Sequence, residues 1–260
     1  MQNLYTGKVA AVTGGTSGVG EAIARALARE GAAGLTVSGR NEAKGAAIAA
    51  ELSTAGCPTL FVPADLQNAD ECRAIVTRTV DRFGRIDGVV NSAADTSRST
   101  LLETTPEFFD TIIATNVRAP LIVMQEAVND MRARKAPGSI VNILSINMYS
   151  GADDLCAYSA SKGALATLTR NVAGAYKWDR IRCNGIVLGW TDTPHEHDIQ
   201  KRAHNATADW LEQAEARQPM GKLAQPDELA DLVVLILSDR GGIMTGALID
   251  YNQHVLASSG

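Results

Sequence analysis

The chain has 260 residues, 45% of them hydrophobic, and a formal net charge of −5 at pH 7, which suits one globular domain over residues 1–260. The acidic balance argues against nucleic-acid partners, no apolar run reaches the roughly 18 residues of a membrane span, and residues 1–8 do not resemble a signal peptide. We therefore expect a cytoplasmic protein whose four scattered cysteines are reduced rather than paired in disulfides.

Short β-rich runs alternate with longer stretches of helical spacing along the chain. The predicted strands are Val9–Val12, Leu35–Val37, Leu60–Val62, Val89–Asn91, Ser139–Leu144, Arg182–Val187 and Ala247–Asp250. The predicted helices are Gly20–Glu30, Glu42–Ala55, Ala69–Phe83, Pro106–Lys135, Leu155–Tyr176 and Pro226–Ser238. Apolar strands in this alternation predict an α/β fold: a doubly wound, Rossmann-like parallel sheet of about seven strands. Residues 189–218 interrupt the alternation, and we expect them to form a substrate lid.

The first predicted strand runs into a glycine-rich turn, Thr13–Gly20, and then into a helix. Glycines let the backbone approach a pyrophosphate, and a helix N-terminus offers free N–H groups. An ordinary strand–helix turn is the alternative. The position after the first strand favours dinucleotide binding, with contacts from Gly14, Thr16, Ser17, Gly18, Val19 and Gly20.

The end of the second strand bears on the choice of dinucleotide. An acidic residue there binds the ribose hydroxyls of NAD, whereas arginine accommodates the 2′-phosphate of NADP. No carboxylate lies between Gly31 and Asn41. Gly39 leaves room for a phosphate, and the neighbouring Arg40 supplies a guanidinium to bind it. We expect NADP(H) to be favoured over NAD(H), with a solvated surface arginine as the alternative interpretation of Arg40.

Three residues form a candidate catalytic group. Tyr158 and Lys162 are four residues apart and share a helix face, so the lysine cation is expected to lower the pKa of the phenol. Ser145 follows an apolar strand, whose carboxyl end faces the binding crevice, and its hydroxyl can donate to a carbonyl oxygen that gains charge. A Tyr-x3-Lys pair alone is common in helices.

Together with the glycine turn, these residues form a pattern that is specific to one family. The chain resembles the short-chain dehydrogenase/reductase family along nearly its whole length. The matching segments are Thr13–Gly20, Asp65–Leu66, Asn91–Ala94, Asn116, Ser145, Tyr158 with Lys162, and Asn184–Thr193. The resemblance implies an NAD(P)-dependent enzyme that interconverts an alcohol and a carbonyl.

The resemblance also implies roles for individual residues. Tyr158 would be the acid/base, and Lys162 would bind the nicotinamide ribose, with Asn116 holding a water that links Lys162 to solvent. Cofactor contacts would come from the segments after the third and fourth strands and from the start of the lid, where Thr191 or Thr193 meets the carboxamide. These residues are Asp65, which meets the adenine, Leu66, Asn91, Ala93, Thr191 and Thr193.

Some positions depart from the family pattern. Ser92 and Ala94 replace the usual Asn and Gly after the fourth strand, and Leu188 replaces a proline before the lid. These changes predict an altered fit beside the cofactor and a less fixed lid. Asp250–His254 replaces a common Asp-Gly-Gly turn, and either a substrate contact or a subunit contact would explain it.

The lid carries His195, His197 and His204 beside carboxylates. A metal site is one interpretation, but solvated imidazoles are favoured, so we expect no metal. With Trp190 and Trp210 as apolar anchors, the polar lid suits a small hydroxylated substrate such as a sugar, polyol or sugar acid.

Two alternatives to a dehydrogenase or reductase remain. A catalytically silent NADP-binding regulatory protein on the same fold would be free to lose the catalytic residues, and an epimerase or dehydratase would usually need a longer C-terminal region.

The two longest predicted helices suggest an oligomer. Small residues on Leu155–Tyr176, namely Ala157, Ser161, Ala164 and Leu165, predict close packing against a second helix. We expect a homotetramer, or failing that a homodimer, with a further contact from Ala247–Leu256 and its Tyr251. A close fit of the helix to its own sheet is the alternative.

Overall fold

The computed structural model describes residues 3–149, 152–203 and 206–254. Seven parallel strands form one sheet in the order β3-β2-β1-β4-β5-β6-β7, which confirms the predicted doubly wound sheet. Reversal of the strand order at β1 and β4 opens a crevice at their carboxyl ends. The strands are β1 Val9–Thr13, β2 Gly34–Gly39, β3 Thr59–Pro63, β4 Gly88–Asn91, β5 Gly138–Ser145, β6 Ile181–Leu188 and β7 Leu248–Tyr251.

Helices cover both faces of the sheet and divide the core into two layers. One layer contains side chains of α1, α2 and α9, and the other contains side chains of α3, α5 and α6. Strands that are apolar on both faces require this double cover. The helices are α1 Gly18–Arg29, α2 Glu42–Thr54, α3 Ala69–Phe83, α4 Pro106–Ile113, α5 Ala119–Ala133, α6 Cys156–Tyr176, α7 Pro194–Ala203, α8 Trp210–Glu215 and α9 Pro226–Leu237.

The helix predicted over Pro106–Lys135 is interrupted. A π-helical turn, Ala114–Arg118, separates α4 from α5, and α5 ends at Ala133. Pro120 has no N–H for the carbonyl of Asn116 one turn earlier, and its ring crowds that carbonyl, which disfavours a regular α-helical turn. Single π turns frequently mark functional sites, and this one contains Asn116.

The predicted lid is more regular than its sequence indicates. Residues 189–218 contain α7, whose first turn is capped by the Thr193 hydroxyl accepting from the Glu196 N–H at 3.2 Å, and the short α8. The ring centroid of the buried Trp210 lies 6.2 Å from that of Trp190, so only Trp210 of the two expected apolar anchors is buried, and Trp190 is exposed. His204 lies outside the described residues.

The small residues of α6 pack inside the chain. Ala157, Ser161 and Leu165 are buried within the chain and Ala164 is partly exposed, so three of the four positions fit the alternative of close packing within the chain. The stripe therefore does not support an oligomer.

All four cysteines are free, and three of them are buried. No helix in the described ranges is long and apolar enough to cross a membrane.

Candidate active site

The glycine turn packs against the segment that follows β4. The Thr13 hydroxyl accepts hydrogen bonds from the N–H groups of Ser92 and Ala93, at 3.2 and 3.3 Å. A Cβ on Gly14, whose φ is +67°, would lie 2.9 Å from Ala93 Cα. A Cβ on Gly20 would lie 2.3 Å from the Gly14 carbonyl oxygen. The turn therefore depends on glycine at both positions.

The N-terminus of α1 is open toward the crevice. Ser17 stands at the N-cap but makes no side-chain capping bond, so the first N–H groups of α1 keep their capacity for an anion. A Cβ on Gly18 would lie 3.6 Å from Thr193 at the start of the lid. The open amides and the missing side chain fit a dinucleotide pyrophosphate between α1 and the lid.

The residues expected to contact the adenosine half share one edge of the sheet. Gly39 ends β2 beside Thr16, whose hydroxyl oxygen would lie 2.6 Å from a Cβ at this position. The next residue, Arg40, is exposed. Asp65 follows β3 and is exposed, and its carboxylate accepts from the Gln67 N–H at 3.0 Å. The structure thus brings a free guanidinium and a carboxylate to this edge.

The three predicted catalytic side chains meet at the carboxyl end of β5. Ser145 is its last residue, and its side chain lies near the phenol of Tyr158, in the first turn of α6, where it acts to lower the pKa of that phenol. Lys162 lies one helical turn farther along, with Nζ 5.5 Å from the centroid of the Tyr158 ring. The Lys162 ammonium donates to the carbonyl oxygen of Ile143 at 2.8 Å.

The pKa values in this group differ from those expected from the sequence. Burial raises the pKa of Tyr158 to about 12, so the expected net lowering is wrong for this structure. The hydrogen bond from Ser145 and the charge of Arg98 lower the Tyr158 pKa, while Glu196 raises it. Burial also lowers the pKa of Lys162 to about 8, which weakens that residue as a permanent cation.

Asn116 joins two segments of the site. Its side-chain oxygen accepts from the Asp95 N–H at 2.7 Å, and its amide donates to the Asp95 carbonyl at 2.9 Å and the Ser161 hydroxyl at 3.0 Å. The π turn therefore positions both the segment after β4 and the face of α6 that carries Lys162.

Asn91 ends β4, and its amide donates to the Asn142 side chain at 2.8 Å. Its side-chain oxygen is buried and has no partner among the described residues. A buried acceptor of this kind, beside the crevice, fits contact with a bound group or an ordered water.

Thr191 and Thr193 are in different environments. The Thr191 hydroxyl donates to the Gly189 carbonyl at 3.0 Å and is buried. Thr193 faces Gly18 of the glycine turn. The geometry thus favours Thr193 for contact with a bound dinucleotide.

The segment Asp250–His254 has local partners in the chain. The Gln253 side chain accepts from the Met220 N–H at 2.7 Å and donates to the Lys222 carbonyl at 2.6 Å. Burial, and to a lesser extent Asp250, raises the pKa of Tyr149, on the loop after β5. The two Gln253 bonds join the segment after the predicted lid to the residues that follow β7.

Three residues near the site were not singled out in the sequence, namely Arg98, Asp154 and Thr96. Arg98 forms an ion pair with Asp154, the Thr96 hydroxyl lies 3.1 Å from His195 Nε2, and Glu196 accepts from the Trp190 indole at 2.8 Å. Their common signal is placement on loops at the carboxyl ends of strands or at the start of α7. Within residues 3–149, 152–203 and 206–254, no three His, Cys, Asp or Glu residues are grouped for a metal ion.

The sequence matches the family model described as enoyl-(acyl carrier protein) reductase over residues 14–253. The chain belongs to the short-chain dehydrogenase/reductase family. This match and the parallel sheet confirm the resemblance drawn from the sequence motifs.

Relatives of this short-chain dehydrogenase/reductase act on hydroxyl or carbonyl groups. A cis-4-hydroxycyclohexanecarboxylate dehydrogenase of Sinomonas cyclohexanicum is 33% identical, over 96% of each chain. The L-sorbose reductase of Gluconobacter frateurii, solved with NADPH and L-sorbose, is 28% identical over 99% of this chain and 100% of its own, with a TM-score of 0.93. A 3-oxoacyl-(acyl-carrier-protein) reductase of Agrobacterium tumefaciens, solved with NADP, is 27% identical over 96% and 94%, with a TM-score of 0.86.

These comparisons show that the chain is an NAD(P)-dependent oxidoreductase acting on CH–OH groups. They give no support to a catalytically silent regulatory protein.

Proposed function

We propose that this enzyme interconverts a secondary alcohol and a carbonyl on a small hydroxylated substrate, such as a sugar, polyol or sugar acid, and prefers NADP(H) to NAD(H). The observation that carries the proposal is the meeting of Ser145, Tyr158 and Lys162 beside the glycine turn, under a polar lid. The fold similarity to L-sorbose reductase supports the substrate class.

Tyr158 is the acid/base in this proposal. Its phenol gives a proton to the substrate oxygen during reduction and takes one during oxidation, and Ser145 donates a hydrogen bond to the same oxygen. The nicotinamide, when bound, supplies or accepts the hydride. Lys162 holds the nicotinamide ribose and replenishes the proton, and Asn116 orders the water path to Lys162.

The lid supplies polar groups for the rest of the substrate. The Trp190 indole and the Gln200 amide both donate to one oxygen of Glu196, at 2.8 and 2.7 Å, which fixes this carboxylate near Tyr158. His195 and Thr96 face each other across the crevice. Carboxylate, imidazole and hydroxyl groups pair with substrate hydroxyls better than with an aliphatic chain.

For the cofactor, we assign the pyrophosphate to the glycine turn and the 2′-phosphate to Arg40. NADPH in L-sorbose reductase and NADP in the 3-oxoacyl reductase support this preference. The full proposed contact set is Gly14, Thr16, Ser17, Gly18, Val19, Gly20, Arg40, Asp65, Leu66, Asn91, Ala93, Tyr158, Lys162, Thr191 and Thr193, with Thr193 at the carboxamide.

A homotetramer or homodimer is also part of the proposal, although the buried stripe of α6 does not support it. The outer face of α6 supports the oligomer instead, because its small residues Ala160, Thr167 and Gly174 are exposed and leave room for a second helix. A Cβ on Gly174 would meet nothing within 4 Å. A cytoplasmic location and the absence of nucleic-acid partners stay predictions.

The test is a screen of cofactor consumption against polyols, sugar acids, ketoses, aliphatic ketones, steroids and acyl thioesters. NADP(H)-dependent turnover of at least one hydroxylated compound is expected, and it should vanish in Tyr158→Phe. Turnover confined to steroids or acyl thioesters would contradict the substrate class, and equal turnover by the variant would contradict the assigned acid/base.

A further inference from the structure

Arg98 lies on the loop after β4, where it pairs with Asp154, two residues before the start of α6. Its Nη1 donates to both carboxylate oxygens of Asp154, at 3.0 and 2.9 Å. The Arg98 side chain is 27% exposed, and its Nε is buried without a partner among the described residues. A cation with one buried, unused donor is not an ordinary solvated surface arginine.

Next to this ion pair, the backbone of the loop after β4 also contacts the backbone just before α6. The Ser99 N–H donates to the Asp154 carbonyl at 2.8 Å, and Ser99 and Leu155 form a parallel bridge. Leu155 is the N-cap of α6 but supplies no side-chain capping bond. The first turn of α6, which contains Tyr158, is therefore held at its entry by residues 98–99.

Three charged side chains among the described residues lie near the Tyr158 ring or act on its phenol, and a fourth acts through one of them. Arg98 comes from the loop after β4, Glu196 from α7, and Lys162 from the same helix, while Asp154 acts through its pairing with Arg98. Lys162 is bonded to the Ile143 carbonyl, and burial lowers its pKa. Guanidinium groups carry a permanent positive charge in proteins, so Arg98 differs from Lys162 as a source of positive charge for the phenol.

We infer that Arg98 is a positioning residue for Tyr158: with Asp154 it fixes the first turn of α6 and supplies the permanent positive charge that stabilises the phenolate. Asp154 moderates that charge by neutralising part of it. The inference rests on the proposed role of Tyr158 and extends it to a residue pair on two different loops.

The two partners of the pair should have opposite electrostatic effects. Arg98→Met removes the cation, so the pKa that governs alcohol oxidation should rise by about one pH unit. Asp154→Asn leaves the guanidinium uncompensated, so the same pKa should fall by a smaller amount. A purely structural ion pair predicts the same loss for both variants and no shift in either pH profile.

The experiment measures the pH dependence of kcat and kcat/KM for both variants. A matched control is Arg132→Met, which breaks a surface ion pair with Asp179, 3.2 Å long, and should leave the profile unchanged. A second readout needs no substrate: alkaline titration of tyrosinate absorbance, with the Tyr158→Phe titration subtracted, gives the Tyr158 pKa in each variant.

Shifts of opposite sign in the two variants support the inference. Shifts of the same sign, or a loss of kcat with both profiles unmoved, overturn it. Should Arg98→Met not fold, an unshifted or raised pKa in Asp154→Asn is enough to overturn it. Retained turnover in Tyr158→Phe would instead contradict the proposed function, so the two failures are distinguishable.

Discussion

The ammonium of Lys162 lies 2.8 Å from the carbonyl oxygen of Ile143, in a position that is only 2% exposed. Burial lowers the pKa of this lysine from 10.5 to about 8. Between these values the unfolded chain binds more protons than the folded one, so the lysine makes the folded state more stable as the pH rises through this window. At about 1.4 kcal/mol per pH unit, the gain amounts to about 3 kcal/mol.

Replacement of this lysine should remove that dependence on pH. The free energy of unfolding of Lys162→Met, relative to the wild type, should fall by about 3 kcal/mol between about pH 8 and about pH 10.5. Denaturant titrations without cofactor measure the difference. Lys44→Met, at an exposed position on α2, is the control and should show no such trend. A difference between Lys162→Met and the wild type that does not vary with pH would contradict the prediction.

Tyr158→Phe should abolish turnover while leaving cofactor binding nearly unchanged. The substitution removes only the phenolic oxygen, and positioned acid–base groups typically supply 10²–10⁴-fold in rate. Stopped-assay turnover and a fluorescence titration with NADPH measure the two effects. More than about one hundredth of the wild-type kcat is incompatible with the assigned role.

Arg40→Ala should weaken NADPH binding about tenfold or more and leave NADH binding unchanged, because only the former carries the 2′-phosphate. Calorimetric Kd values for both cofactors give the comparison. Arg78→Ala, at an exposed position on α3, is the matched control. Equal weakening of both cofactors would indicate that Arg40 does not select for the phosphate.

Gly39→Asp should shift preference toward NAD(H), since its carboxylate repels a 2′-phosphate and accepts from ribose hydroxyls. The new Cβ would lie 2.6 Å from the Thr16 hydroxyl oxygen, so the Thr16 side chain must rotate. Pairing it with Thr16→Ser, which removes a methyl group, should relieve part of this crowding. A wild type that already prefers NAD(H) tenfold would contradict the assignment.

Light scattering at micromolar concentration should give a mass of two or four chains. A single-chain mass near 27.4 kDa, with full activity, would refute the proposed oligomer. Ala160→Arg, on the exposed face of α6, should lower the mass if α6 forms the interface, whereas Arg78→Glu on α3 should not.

Local signals explain which elements the sequence predicted well. The bounds of α2 and α3 agree within a residue, because Asn41 and Asn68 cap them and Gly84 ends α3 in the left-handed region. The π turn was missed, since the effect of Pro120 on Asn116 competes with a strong helical pattern over the same residues.

The catalytic trio was accessible from the sequence because each member has a fixed place relative to a strand or a helix turn. Arg98 was not, because its approach to Tyr158 depends on the pairing of two loops that are distant in the chain. The pKa of Tyr158 was misjudged for a similar reason, since burial is a property of the folded molecule.

Strand β1 forms hydrogen bonds along both edges, with β2 on one side and β4 on the other. The partner β2 follows after one helix, but β4 begins only at Gly88, after two more helices and β3. During synthesis, one edge of this interior strand therefore stays open until Asn91 has emerged. Open edges recruit other chains, and non-local parallel pairing is slow. Nascent chains that stall before Gly88 are expected to aggregate, whereas those that stall after Asn91 can already close this edge.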